Sequence, residues 1–353
     1  MTIQKKNKKY FQHIKSFRQL FGALVLDMPR YLYYFSNINN HKPYGWINIR
    51  NRDERLENFS SHIGVKCQWK WTSDLYLPKI IPFYGHLLLN KAISAYPIKA
   101  DKDIRHKSND QPKVTFIIGH RGLERAPLLL KTLKSISAQK NCIIECIVIE
   151  QDTKPRVEKL LPNWVKYIFT PITNKNVSYS RSWAFNEGAN YANGDCLIFH
   201  DNDILVPTSY AEEVLKLYKK GYEFINLKRF IFYLTHSATN NYLSQHSDQN
   251  TFKFDAIVQN LEGGGSFGAS KKAYFEIGGF DERFIGWGGE DNEFWERAET
   301  KKLWPYAYLP FIHLWHHAQP GKSNYNESEK STYVKLSKIS PASRIKSLKD
   351  NLK

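Results

Sequence analysis

From Val114 to His200 the chain repeats one rhythm, a short apolar run followed by a segment with helical spacing or a turn, and few folds accept that order. The runs "VTFII" (Val114 to Ile118), "CIIECIVIE" ending at Glu150, "VKYIF" (Val165 to Phe169) and "CLIFH" from Cys196 have the length and β-branched content of buried strands. Between them, Pro127 starts a segment whose Leu128, Leu129, Leu133 and Ile136 recur at helical spacing. Ser180 is placed to cap a second helix through Trp183, Phe185 and Ala189, and Gly194 follows its end. The alternation predicts an α/β fold, a mainly parallel sheet flanked by helices, with ligands beyond the carboxyl ends of the strands. Further on, Ser209 and Glu212 have capping-box spacing ahead of "AEEVLKLYKK", and "YEFINL" reads as another strand. The stretch from Phe230 to Phe254 is poorly periodic and is expected to run as an irregular excursion over the sheet.

A chain of 353 residues with 42% apolar residues can bury a sizeable core, which excludes a disordered protein. Its 51 Lys and Arg against 34 Asp and Glu give a charge of +17, which attracts nucleic acid, nucleotide phosphates, acidic glycans or anionic lipid without choosing among them. No run approaches the roughly 18 to 20 apolar residues that span a bilayer. The best candidate, "LFGALVL" from Leu20, meets Asp27 and Arg30 at once and lacks a cleavage pattern. Cys67, Cys142, Cys146 and Cys196 show no CxxC pairing, which favours reduced thiols and a cytoplasmic setting. The polar segment Lys99 to Lys113 divides a basic, aromatic extension (1–110) from the α/β domain (111–325), and a basic tail covers 326–353. In the extension, Lys5, Lys6, Lys8, Lys9, Lys15 and Arg18 surround Tyr10, Phe11, Phe17 and Phe21, a mixture suited to an anionic leaflet or to a solvated basic arm.

Three constellations carry chemistry. "FHDNDILVP" (Phe199 to Pro207) ends a strand on Asp201 and Asp203; on one side of extended backbone these two carboxylates repel unless a cation lies beside them, and a hard divalent ion bridging to phosphate meets that need. "EGGGSFGASKKAYFEIGGFDERFIGWGGEDNEFWERA" (Glu262 to Ala298) combines glycines that admit close approach of a ligand, the flat face of Trp287, and Glu290 with Asp291 opening a helix, where carboxylates also serve as macrodipole partners. "FIHLWHH" sets His313 and His316 three residues apart, within reach of one metal ion.

The span from about Val114 to Pro320 resembles GT-A glycosyltransferases, in particular bacterial family-two enzymes that share "GWGGED" with the β-1,4-galactosyltransferases. The resemblance implies a GT-A fold over 111–325 and a metal-dependent inverting transfer from a UDP-sugar, UDP-galactose or UDP-N-acetylgalactosamine, to a saccharide or lipid-linked glycan. Asp203 then matches the metal-coordinating member of the Asp-x-Asp pair, Asp201 the member that supports the donor, and His316, ahead of His313, completes the site for Mn2+ or Mg2+; His317 has no counterpart. Gly264, Gly265 and Trp287 match the acceptor side, Glu290 binds acceptor hydroxyls, and Asp291 falls on the catalytic base. Retaining relatives carry Asn at that last place, so Asp291 implies inversion. Arg121 and Arg181 match donor-site arginines, and Glu150 or Asp152 is expected to read the base or ribose. The chain lacks the cysteine framework of secretory members, which implies a bacterial enzyme at the inner face of the plasma membrane, making capsule or another polysaccharide. The competing reading is a non-catalytic binder of polyanions or nucleic acid, or of sugar nucleotides; it leaves "WGGED" without a reason. A two-metal phosphodiesterase would need a second ligand cluster, and the sequence has none.

Overall fold

The computed structural model describes residues 17–350 apart from 37–44, 59–62, 68–72, 101, 104, 106–110, 112, 175, 245–251, 260–263, 287 and 318–328. Four parallel strands form the half of the main sheet expected from the apolar runs: β1 (Val114–His120), β2 (Ile144–Asp152), β3 (Val165–Pro171) and β4 (Cys196–His200). They lie in the order β4-β1-β2-β3. The chain moves from β1 to one side through β2 and β3, then returns to the other side as β4. That reversal opens a crevice beyond the carboxyl ends of β1 and β4, where open α/β sheets bind ligands. The helices α1 (Ala126–Ser137) and α2 (Arg181–Tyr191) cover the sheet, and the Ser180 hydroxyl accepts from the Trp183 N–H as the cap.

The capping box at α3 (Tyr210–Lys219) does not form. Ser209 has helical backbone angles and makes no side-chain cap, while Glu212 accepts instead from Asn141 at 2.9 Å and pairs with Lys216. Beyond α3 come β6 (Phe224–Ile225), β7 (Lys228–Leu234), β8 (Phe254–Gln259), β9 (Ser266–Ser270), β10 (Leu303–Trp304) and β11 (Leu309–His313), with β5 (Ile204–Leu205) following β4. Strands β10, β6 and β9 extend the main sheet beside β4.

The expected excursion from Phe230 is overturned: β7 is the centre of a second, five-stranded sheet, paired antiparallel with β8 and parallel with β11. Its residues are buried on both faces, so it lacks the alternation that marks a half-exposed strand. The edge of this sheet is Ser73–Asp74, supplied by the N-terminal region. Arg229 in β7 fastens that region by donating to the Ile47 and Ile49 carbonyls, each at 2.6 Å, and to the Gln259 side chain, which in turn donates to Glu54.

The helix that begins the acidic segment, α4 (Glu290–Ala298), is anchored by a buried pair, Arg297 to Glu293 at 2.6 Å. Arg297 also donates to the Ile277 and Gly279 carbonyls. Breaking such a pair by removing one partner costs about 3–5 kcal/mol. Of the two C-terminal helices, α5 (Glu329–Leu336) brings the Tyr333 hydroxyl to Glu296 and α6 (Pro341–Asp350) brings Arg344 to Glu293 and Glu296. Gly289, at the N-cap of α4, has a φ of 85°, and a Cβ there would meet the Cβ of Tyr333 at 2.9 Å, so only glycine fits.

Candidate active site

Strand β4 ends at His200, and the next residues leave extended geometry, so Asp201 and Asp203 meet different partners. The Asp201 N–H is held by the Gly265 carbonyl at 2.9 Å, which the left-handed backbone of Gly265 (φ 83°) aims at it. Gly264 and Gly265 therefore lie beside the first aspartate, while Trp287 lies outside the described residues. The Asp201 carboxylate accepts from Arg181 Nε at 2.9 Å. Arg181, the first residue of α2, reaches from there to Asp291 Oδ1 at 2.5 Å, with Glu290 Oε1 at 3.9 Å. One guanidinium thus joins three carboxylates from two segments well separated in the sequence. Its Nη2 is buried with no hydrogen-bond partner among the described residues, a donor left for an anion.

Asp203 turns to the other side. Its Oδ2 lies 3.2 Å from His316 Nε2, its Oδ1 lies 3.6 Å from His313 Nε2, and Arg125 Nη1 stands 3.6 Å from Oδ2. These two imidazoles and one carboxylate offer ligand atoms all within 4.8 Å of one another. Strand β11 delivers His313, which pairs with Ile204 in β5 and stacks on Tyr233 of β7 with ring centres 4.4 Å apart. The second sheet therefore fixes His313, while Asp203 sits in the turn between β4 of the main sheet and β5 of the second. Among the described residues Asp203 Oδ1 is buried without a hydrogen-bond partner, a state that a bound cation would relieve, so the donor set fits a divalent ion.

Sequence reasoning passed over Arg125 and His120. His120 is buried and pushed down to about 4 by that burial, hence neutral; its Nε2 donates to the Gly122 carbonyl at 2.9 Å and its Nδ1 accepts from Asn202 at 3.0 Å. Asn202 Oδ1 lies 3.5 Å from Arg125, and Arg125 Nη2 lies 2.6 Å from His316 Nδ1. That same Nδ1 is 2.7 Å from the His317 carbonyl. One ring nitrogen cannot accept from the guanidinium and donate to the carbonyl at once. The tautomer that donates to His317 frees Nε2 as a metal ligand toward Asp203.

The charges fix which groups hold protons. Burial opposes the Asp203 charge, yet His313, His316 and Arg125 outweigh it and hold the carboxyl below the usual range. Asp201 moves the other way, up to about 6, first through burial and then, against the pull of Arg181, through Asp203 and Asp291. Glu290 is raised to about 7 by burial and by Asp291, although its Oε2 accepts from the Gly288 N–H at 2.9 Å. Between its ordinary value of 4.5 and about 7, the folded protein holds a proton on Glu290 that the unfolded chain has lost. Stability therefore falls as pH rises through that window. Glu290→Gln keeps the acceptor for Gly288 and removes this loss. In thermal melts it is expected to unfold several degrees above wild type near pH 8 and together with it near pH 4; identical midpoints at both pH values would contradict the burial of that charge.

A pocket of about 290 Å³, at the lower end of small-molecule sites, opens beside this centre and is lined by Arg121, Gly122, Leu123, Glu124, Asp152 and Arg156 with Ile172. The imidazole cluster is not among its walls. Arg121 donates to the Gln151 carbonyl, the Gln151 side chain and the Val177 carbonyl, at 2.7, 2.8 and 2.6 Å, so its charge is held by neutral acceptors. Asp152 accepts from Arg156 at 2.8 Å and from the Thr153 N–H at 2.6 Å; burial works against its charge, and these donors outweigh it and lower its pKa. Glu150 spends its oxygens on the Arg156 and Val157 N–H groups and the Tyr167 hydroxyl, which makes it the anchor of the loop that carries Arg156.

Comparison with known proteins shows which families this centre is similar to. Residues 123–279 match the model of glycosyl transferase family 2, and residues 246–313 match the N-terminal domain of galactosyltransferase. Over these residues the chain is similar to family-two glycosyltransferases. The matched segments lie in the mixed α/β fold, with Asp201 and Asp203 inside the first and His313 at the end of the second. Curated relatives include a chondroitin synthase of Escherichia coli, 24% identical over 299 residues, 72% of this chain and 41% of that protein. Another is a 4,4'-diaponeurosporenoate glycosyltransferase of Staphylococcus haemolyticus, 29% identical over 134 residues, 37% of this chain and 33% of that protein. The chain thus spans about two fifths and one third of the length of these two relatives. Similar solved structures include GalNAc-T7 with UDP, GalNAc and Mn2+, at a TM-score of 0.45 and 15% identity over 67% of this chain and 51% of that one. The catalytic domain of Drosophila β1,4-galactosyltransferase 7 in complex with xylobiose aligns at 0.33 and 14% over 56% and 65%.

Proposed function

We propose that the chain transfers a hexose or N-acetylhexosamine, galactose or N-acetylgalactosamine, from a UDP donor to a saccharide acceptor with inversion at the anomeric carbon. The observation that carries this reading is the convergence, at the carboxyl end of β4, of a cluster suited to a metal (Asp203, His313, His316) with an Arg181–Asp291 pair that holds the nearby Asp201. Asp203 and His316, with His313, would hold the ion, which supplies Lewis-acid neutralisation of the diphosphate when bound. Two imidazole ligands favour Mn2+ over Mg2+, which prefers oxygen. The pocket beside Arg121 and Asp152 takes the nucleoside, and the unpaired Nη2 of Arg181 faces the negative charge that grows on the leaving group. Asp291, hydrogen-bonded to Arg181, accepts the proton of the attacking hydroxyl, and Glu290 with Gly264 and Gly265 borders the acceptor. The relative named for chondroitin synthesis supports a glycan acceptor. Four cysteines that are free in the structure suit a reducing, cytoplasmic compartment.

A panel of nucleotide sugars with manganese, scored for UDP release and for protection from thermal unfolding, tests the reading. A UDP-hexose or UDP-N-acetylhexosamine should both protect and release UDP in a metal-dependent way. Protection without release across a broad acceptor panel would make the protein a sugar-nucleotide binder. Salt-sensitive binding of polyanions alone would make it the polyanion binder.

A further inference from the structure

The helix over 17–36 exposes the wrong residues for a helix that faces water. Its buried stripe, Ala23, Asp27 and Tyr31, packs on the protein, with the Tyr31 ring edge-on to Tyr84 at 5.6 Å. The outward side carries Phe17, Phe21, Val25, Leu32 and Tyr33, of which Phe17, Phe21 and Tyr33 are 69%, 60% and 62% exposed. A wide π turn at Ala23–Asp27, closed by the Met28 N–H on the Ala23 carbonyl, leaves Leu24, Val25 and Leu26 outward in succession. Phe83, 65% exposed, begins the neighbouring helix next to Tyr84. A surface helix ordinarily turns polar residues outward, and an apolar cluster of this extent marks a contact.

Charge selects the partner. The first 52 residues contain ten Lys and Arg and a single acid, Asp27, which is 3% exposed. Across a two-fold axis a second copy would set this basic segment against itself. An anionic bilayer offers both complements, acyl chains for the aromatic and aliphatic side chains and headgroup charge for the basic ones. Among the described residues no helix is long and apolar enough to cross a membrane, so a helix of this kind lies in the interface. We propose that the outward face of 17–36, together with Phe83, seats this protein on an anionic lipid surface. The seat is independent of the transfer reaction and stands or falls apart from it.

Flotation of the full chain with lipid vesicles tests it. The wild type is expected to float with vesicles of equal phosphatidylcholine and phosphatidylglycerol and to stay behind with phosphatidylcholine alone. The double variant Phe21→Asp, Val25→Asp should lose binding by at least about tenfold with an unchanged melting midpoint, because both side chains are exposed. Phe83→Asp, on a separate helix, should weaken binding in the same direction and serves if the double variant does not fold. The proposal is overturned if the folded wild type ignores anionic vesicles, or if the apolar variants bind as it does. A concentration-dependent dimer that Phe21→Asp abolishes, without lipid binding, would instead make the face a self-interface and overturn it too.

Discussion

Asp291→Asn is expected to bind donor as the wild type does and to transfer about 10²–10⁴-fold more slowly, the range a positioned general base contributes. The side-chain oxygen of Asn can still accept from Arg181 at the 2.5 Å position, so the Asp201–Arg181 contact and the donor side stay in place. On the proposed assignment the substitution removes the oxygen that would take the acceptor proton; among the described residues only Oδ1 of Asp291 is engaged, which leaves Oδ2 for that role. Single-turnover transfer measured beside donor affinity separates the two effects. Equal loss of both would mean that Asp291 supports the donor site, and full transfer by the variant would remove it from the base role.

The second large effect is at Asp203. Asp203→Ala leaves His313 and His316 without the carboxylate that outweighs its own burial to pair with them. Divalent affinity is expected to fall on the order of 100-fold or more, and turnover at ordinary manganese concentrations to fall by at least about 10³-fold, since a metal stabilises transition-state charge by several kcal/mol. Asp203→Asn controls for packing: it keeps the shape beside Arg125 and should lose the metal as well. Isothermal titration with manganese, in the presence and absence of UDP, reads affinity directly. Turnover that is unchanged in both variants would place the ion elsewhere.

The parallel half of the main sheet was legible because β1, β2 and β4 are apolar on both faces and are separated by signals that act locally, such as Pro127 near the start of α1 and the Ser180 cap. Strand β7 was not legible. Its residues are equally buried, but it pairs in parallel with β11, some eighty positions later, and flanking polar residues hide its boundaries. The Ser209 box failed because the spacing of residue types does not fix the backbone angles of the capping residue. At the site, the aspartates and histidines stood out as motifs, and Arg181 came only from the resemblance. Arg125 did not stand out, since its partner His316 is 191 positions away and a lone arginine in a basic chain carries no local mark. The division of labour between the two aspartates came only from the resemblance, since it depends on α2 bringing Arg181 to one and β11 bringing His313 to the other.

Crystals of the protein grown with manganese and UDP, measured at a wavelength where manganese scatters anomalously, test the metal centre most directly. The account predicts one strong anomalous peak at bonding distance from an Asp203 oxygen and from Nε2 of His316, with His313 facing it and a diphosphate oxygen on its open side. A peak bound by Asp201 or by other residues, with the two imidazoles turned away, would contradict it.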